Sequence, residues 1–143
     1  MLARSLREGE KRVDGRSLTG RRGEAAAARY LRRRGYRIVG RNVRVAVGEV
    51  DLLAIAPGER RLVIVEVKAR SAEAAGPEPE LRVGAAKRRK LVQVAQALLK
   101  QRRFAGYAVR FDVVGVDLPP VGWRAWVGLE RAVVRHHVGA FVA

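Results

Sequence analysis

Asp51, Glu66 and Lys68 are the residues whose types and spacing can do chemistry. Each lies in an apolar, strand-forming run: Gly48-Glu49-Val50-Asp51-Leu52-Leu53 and Val65-Glu66-Val67-Lys68. Side chains of a strand alternate between its faces. Glu66 and Lys68 therefore share a face with Leu62 and Ile64, and alternation puts Asp51 on a face with Glu49, Leu53 and Ile55. If the two runs are neighbours in suitable register, two carboxylates and one ammonium converge. That set suits Mg²⁺ (or Mn²⁺), which prefers oxygen ligands, keeps several waters and usually takes one or two protein carboxylates plus phosphate oxygens. Such an ion polarises a phosphate and lowers the pKa of a bound water. Lys68 can orient that water or stabilise developing negative charge. The chemistry implied is phosphodiester cleavage, with the Val67 carbonyl as a further oxygen. The competing reading is structural: Glu66 and Lys68 neutralise each other and Asp51 caps a turn.

The elements that must position these residues follow from periodicity. The spacing predicts a helix over residues 20–34, capped by Thr19 and ended by Gly35, with a buried stripe of Ala27, Ala28, Tyr30 and Leu31. Glu24 lies on the core-facing side of its first turn. It either favours the positive helix end or serves the site, completing the outer shell or holding a second ion. Strands are expected at Tyr36–Val45, Val47–Ala56 and Arg61–Ala69, with a turn at Pro57-Gly58-Glu59-Arg60 between the last two. A second helix is expected over about 84–103, with Leu91, Val94, Ala95 and Leu98 facing the core. Lys87, Arg88, Arg89 and Lys90 crowd its first turn, where cations oppose the helix dipole. An external anion would relieve that conflict, which makes Lys87, Arg88 and Lys90 candidate nucleic-acid contacts. Arg70 is a further candidate, just beyond Lys68.

Tyr107–Val116 reads as a fourth strand, with Arg110 and Asp112 on one face. A crossover from the third strand through the second helix to the fourth makes that pair parallel. Beyond Pro119-Pro120, Trp123–Val127 is read as a short edge strand and Glu130–Val138 as a helix. Residues 1–19 read as a flexible basic arm and 20–143 as one α/β domain. Adjacent His136 and His137 lack the i,i+4 spacing of a same-face helical metal pair. Trp123 and Trp126 fit packing better than base stacking.

Composition narrows the function class. The chain of 143 residues carries 30 Lys and Arg against 14 Asp and Glu, a formal net charge of +16. That balance favours a polyanionic partner, with nucleic acid first, although an arginine-rich composition has other origins. Only five lysines occur, so the persistence of Lys68 in an apolar strand is notable. Lysine is a compact point charge whose pKa can shift, whereas arginine stays protonated. There is no cysteine, which excludes disulfides, thiolate catalysis and zinc-thiolate sites. No apolar run is long enough to span a bilayer, and the basic N-terminus lacks a signal-peptide core. The expected location is cytoplasmic, with no membrane partner. No phosphate-binding glycine motif points to a nucleotide cofactor.

Several motifs occur in a characteristic order. Gly23-Glu24 precedes Ala27 and Leu31, then come Gly35-Tyr36, Arg41-Asn42, Gly48-Glu49-Val50-Asp51-Leu52-Leu53, Val65-Glu66-Val67-Lys68-Ala69-Arg70, Lys87 and Phe111-Asp112-Val113-Val114. This series, over about residues 20–116, resembles the bacterial YraN-like family. The resemblance implies a restriction-endonuclease-like fold, a mixed central β-sheet of four to five strands flanked by helices, similar to archaeal Holliday-junction resolvases. It implies Asp51 and Glu66 as metal carboxylates, Lys68 as the catalytic lysine and Glu24 as the helix carboxylate. Val50 stands where that superfamily often has proline before the aspartate. The implied activity is Mg²⁺-dependent cleavage of structured DNA, branched DNA included, with a homodimer left open. Two alternatives stand beside it: a catalytically inactive nucleic-acid-binding module, and a basic interaction protein of a ribonucleoprotein assembly.

Overall fold

The structure is a computed structural model that describes residues 17–73, 83–120, 122 and 131–142. Two helices enclose a five-stranded mixed sheet, an α/β architecture compatible with a restriction-endonuclease-like fold. Helix α1 spans Leu18–Arg33, followed by strands β1 (Arg37–Val45), β2 (Gly48–Ile55) and β3 (Arg61–Ser71). Helix α2 spans Ala85–Leu99, a 3₁₀ turn covers Arg102–Phe104, and strands β4 (Ala108–Leu118) and β5 (Val133–Phe141) follow. The strands lie side by side in chain order, and every pair is antiparallel except β3–β4. That parallel pair is the one the crossover through α2 requires.

Each helix covers one face. Ala27, Ala28 and Leu31 of α1 pack with Leu52, Ala54, Val63, Val65, Val114 and Val116. Leu91, Val94, Ala95 and Leu98 of α2 pack with Val50, Leu53, Leu62, Ile64, Phe111 and Val113 on the other face. Strand β3 is buried on both sides, which explains its near-continuous apolar run. Close approach of α1 to β3 depends on Gly23: a Cβ there would stand 2.3 Å from the Ala69 Cβ.

Three expectations change. The first helix starts earlier than residue 20, with Ser17 rather than Thr19 as its cap: the Gly20 N–H donates to Ser17 Oγ at 3.0 Å. The segment expected to be a helix at Glu130–Val138 is instead strand β5, Val133–Phe141. Val133, Val134 and Val138 are β-branched, and buried Asp112 gives His136 a partner that a solvated helix would not. The second helix ends at Leu99, before the expected 103, and the chain tightens into the 3₁₀ turn. Of the arm expected over residues 1–19, Ser17 caps α1 and residues 18 and 19 belong to that helix, while residues 1–16 and the strand expected at Trp123–Val127 lie outside the described residues.

Candidate metal and nucleic-acid site

Strands β2 and β3 pair from Ile55↔Leu62 to Leu52↔Val65 and then part. Asp51 and Glu66 are the next residues on each side, so both carboxylates stand at the mouth of the split. The Val67 N–H, released from strand pairing, donates to Asp51 Oδ2 at 2.8 Å. A strand residue's N–H and C=O point to the same neighbour, so the Val67 carbonyl is directed at the same gap.

The expected face of Asp51 is corrected here. Simple alternation groups it with Leu53 and Ile55, but Val50 and Leu53 both pack on the α2 side, with Leu52 on the α1 side. The face order slips by one residue at Asp51. Its side chain therefore turns into the gap instead of standing squarely on either face. Leu62 and Ile64 pack on the α2 side, alternation carries Glu66 and Lys68 to that side, and Lys87 of α2 reaches Glu66 there.

Glu66 is 6% exposed. Its Oε1 faces Lys87 Nζ at 3.5 Å and Lys68 Nζ at 3.9 Å. Its Oε2 is buried and takes no hydrogen bond from a described residue. Burial first, and then repulsion by the Asp51 carboxylate, push the Glu66 carboxyl up to about 7, against the pull of Lys87 and Lys68. Asp112 is the useful contrast. It is 1% exposed, yet both oxygens are satisfied. Arg110 donates to it twice at 2.8 Å, the Gly139 N–H donates at 3.0 Å, and His136 Nε2 lies 2.7 Å away. Burial pushes that carboxyl up, but these donors outweigh it and hold Asp112 below the usual carboxylate range. Asp112 is thus a finished structural network, pairing Arg110 as its spacing suggests. Glu66 is an unfinished one.

The groups present fit an oxygen-preferring divalent cation. Two carboxylates stand at the gap, one of them with a bare buried Oε2, and a cation there would relieve the repulsion that raises Glu66. Among the described residues, no three His, Asp or Glu side chains gather into a metal cage.

Glu24 is half-buried in α1 and lines a cavity of about 250 Å³ with Asp51, Lys68, Val67, Ala69, Ser17, Thr19 and Gly20. It therefore borders the site from the α1 side, whereas Lys87 reaches it from α2. Lys87, expected as a nucleic-acid contact, sits beside the acid itself. Arg88 is half-committed to structure: its Nε donates to the Val83 carbonyl at 2.8 Å and its guanidinium lies 5.3 Å from the Phe141 ring centroid. Lys90 is exposed on the second turn of α2. Arg70 Nε donates to Asp117 at 2.8 Å, and Arg135 donates to the same carboxylate twice at 3.0 Å. Alternation places Arg70, Asp117, Arg135 and His137 on the Glu66 face. Arg135 was missed in the sequence, and His137 was weighed only as half of an adjacent histidine pair, because their segment was read as a helix. The β-branched Val133, Val134 and Val138 were the available signal.

With this geometry in view, the comparisons with other proteins assign the chain. The family model described as "Uncharacterised protein family UPF0102" matches residues 23–116. Similar proteins include a "UPF0102 protein" of Pelobacter propionicus, 41% identical over 130 residues (91% of this chain, 86% of that protein). One from Syntrophotalea carbinolica is 42% identical over 122 residues (85% and 89%), and one from Desulfosudis oleivorans is 47% identical over 98 residues (68% and 77%). The chain belongs to the UPF0102 family, the YraN-like proteins of the motif series. The matched region runs from Gly23 to Val116 and contains Asp51, Glu66, Lys68, Glu24 and Lys87.

Proposed function

We propose that this protein is a divalent-metal-dependent nuclease of the restriction-endonuclease-like type, acting on structured DNA. The observation that carries the reading is the contrast between the two buried acids. Asp112 has donors on both oxygens, while Glu66 keeps Oε2 bare and stands against Asp51. A buried carboxylate left short of partners costs stability, and a site that takes up a cation is a physical reason to retain it. Asp51, Glu66 and the Val67 carbonyl would hold Mg²⁺ or Mn²⁺. When bound, the ion would supply Lewis-acid polarisation of a phosphate and a more acidic water. The chain's own side chains do the rest. Lys68 lies between Glu66 and the cavity, where its ammonium stabilises charge on a non-bridging oxygen and orients the attacking water. Lys87 lies against Glu66 Oε1 and pulls that carboxyl down, favouring its charged form against burial and Asp51. Glu24 bounds the cavity opposite and positions water there. The net charge of +16 draws the polyanion, with Lys90 and the α2 first turn as phosphate contacts.

The test is a cleavage assay on labelled duplex, junction, flap and RNA substrates, with Mg²⁺ or Mn²⁺ against EDTA. Glu66→Ala and Lys68→Ala are expected to lower cleavage by about 10²–10³-fold or more while most binding survives. Salt-sensitive binding with no metal-dependent product on any substrate would reduce the protein to a binding module. Cleavage surviving both substitutions would place the chemistry elsewhere.

A further inference from the structure

Asn42 is the non-glycine described residue with a left-handed backbone, φ +50°. Such a conformation is costly for most side chains, and asparagine is among the few that accept it. Its place is specific. In the β1–β2 ladder, Arg41 pairs with Leu52 and Val43 with Val50, which leaves Asn42 and Asp51 as the residues enclosed between those pairs.

The two strands slip face together at that point. On β2, Val50 and Leu53 share the α2 side although they are three positions apart. On β1, a Cβ at Gly40 would stand 2.4 Å from Val43 Cγ2 and 3.7 Å from Leu53 Cβ, so Gly40 and Val43 also share that side three positions apart. Regular strands place same-face residues two or four apart. A matched slip keeps both core faces filled on either side of it. It also turns the residue between the slips out of alternation, and on β2 that residue is Asp51. Its Oδ2 thereby reaches the Val67 N–H at 2.8 Å. Asn42 Oδ1 is buried and takes no hydrogen bond from a described residue, so no side-chain bond accounts for the residue type.

We propose that Asn42 is a positioning residue: its left-handed backbone creates the paired β1–β2 slip that aims Asp51 into the gap beside Glu66. The inference rests on the geometry above and concerns the site proposed for the divalent cation. Strain held at a functional position, with surrounding structure enforcing it, is a recurrent arrangement. Here the enforcing structure is the ladder on both sides and the absence of a Cβ at Gly40.

The test compares Asn42→Gly, Asn42→Asp and Asn42→Ala by two readouts in the full chain. One is the amide chemical shift and hydrogen exchange of Val67, measured without metal. The other is Mn²⁺ affinity by calorimetry. Glycine and aspartate accept the left-handed backbone, so these two variants are expected to keep Val67 protection and to bind Mn²⁺ within about threefold of the parent. Alanine is expected to speed Val67 exchange at least tenfold and to weaken Mn²⁺ binding about tenfold. If the alanine variant does not fold, Asn42→Ser is read in its place, with the same directions. Parent-like Val67 exchange in a folded alanine or serine variant would overturn the proposal. So would an equal loss in the glycine variant, which would put the role in the amide group. The Val67 readout stands whether or not the parent binds metal or cleaves DNA, so failure of the nuclease reading and failure of this one are separable.

Discussion

At the scale of single residues, the protonation of Glu66 decides what the site can do. Its carboxyl is raised from the ordinary 4.5 to about 7, chiefly by burial and then by Asp51. An acid with a higher pKa folded than unfolded binds its proton more tightly when folded. Its stabilising contribution is therefore complete below about pH 4.5 and is lost as pH rises to about 7. Metal-free protein is predicted to lose about 3 kcal/mol across that window, whereas Glu66→Gln should show no such slope; urea unfolding at pH 5 and pH 8 measures both. Adding Mg²⁺ at pH 8 should restore much of the loss, because ligand that binds only folded protein stabilises it. Lys87 pulls the same carboxyl down, so Lys87→Ala should raise the Glu66 midpoint further, read by ¹³C carboxyl shifts. The pairing of Glu66 with Lys68 was legible from their two-residue spacing. The part played by Lys87 was not, because an approach of 3.5 Å between helix and strand is a tertiary fact. Asp51 was singled out by residue type and spacing but placed on the wrong face, since period-two alternation cannot reveal a slip that two strands make together.

At the scale of elements, the site depends on how closely α1 approaches β3 and how firmly β5 is tied to β4. Gly23 faces Ala69, next to Lys68, with no room for a methyl group between them. Gly23→Ala is predicted to push the helix from the strand and cost about 1–3 kcal/mol, measured by chemical unfolding, with weaker Mn²⁺ binding as α1 withdraws. On the same helix-covered face, Asp112 holds β5 through His136 and the Gly139 amide. Tyr36 accepts from Arg110 at 2.7 Å and packs edge-on to His136, with ring centroids 5.7 Å apart. Asp112→Ala strands Arg110 without its carboxylate and is predicted to destabilise by about 3–5 kcal/mol, with hydrogen exchange rising first in β5. Both helices, their buried stripes and the first four strands were readable because apolar periodicity is local information. Strand β5 was not. Its charged and histidine residues resemble a solvated helix until Asp112 and Asp117, distant in sequence, supply partners at His136 and Arg135.

At the scale of the whole molecule, the excess of positive charge and the two unequal buried acids define the account. A net charge of +16 predicts nucleic-acid affinity that falls linearly in log–log terms with salt. Neutralising Lys90 should lower that slope by about one contact, whereas Asp51→Asn and Glu66→Gln should leave binding largely intact, since phosphate contacts carry most of the affinity. The same two substitutions separate charge from site. Calorimetric titration of Mg²⁺ and Mn²⁺ into the full chain at pH 8, against Asp51→Asn and Glu66→Gln, tests whether these two carboxylates hold a divalent cation. We expect the parent to bind a divalent cation with proton release that shrinks as pH rises above 7, and each variant to lose at least tenfold in affinity. A parent that takes up no divalent cation at millimolar concentration, or variants that bind as tightly as the parent, would contradict it.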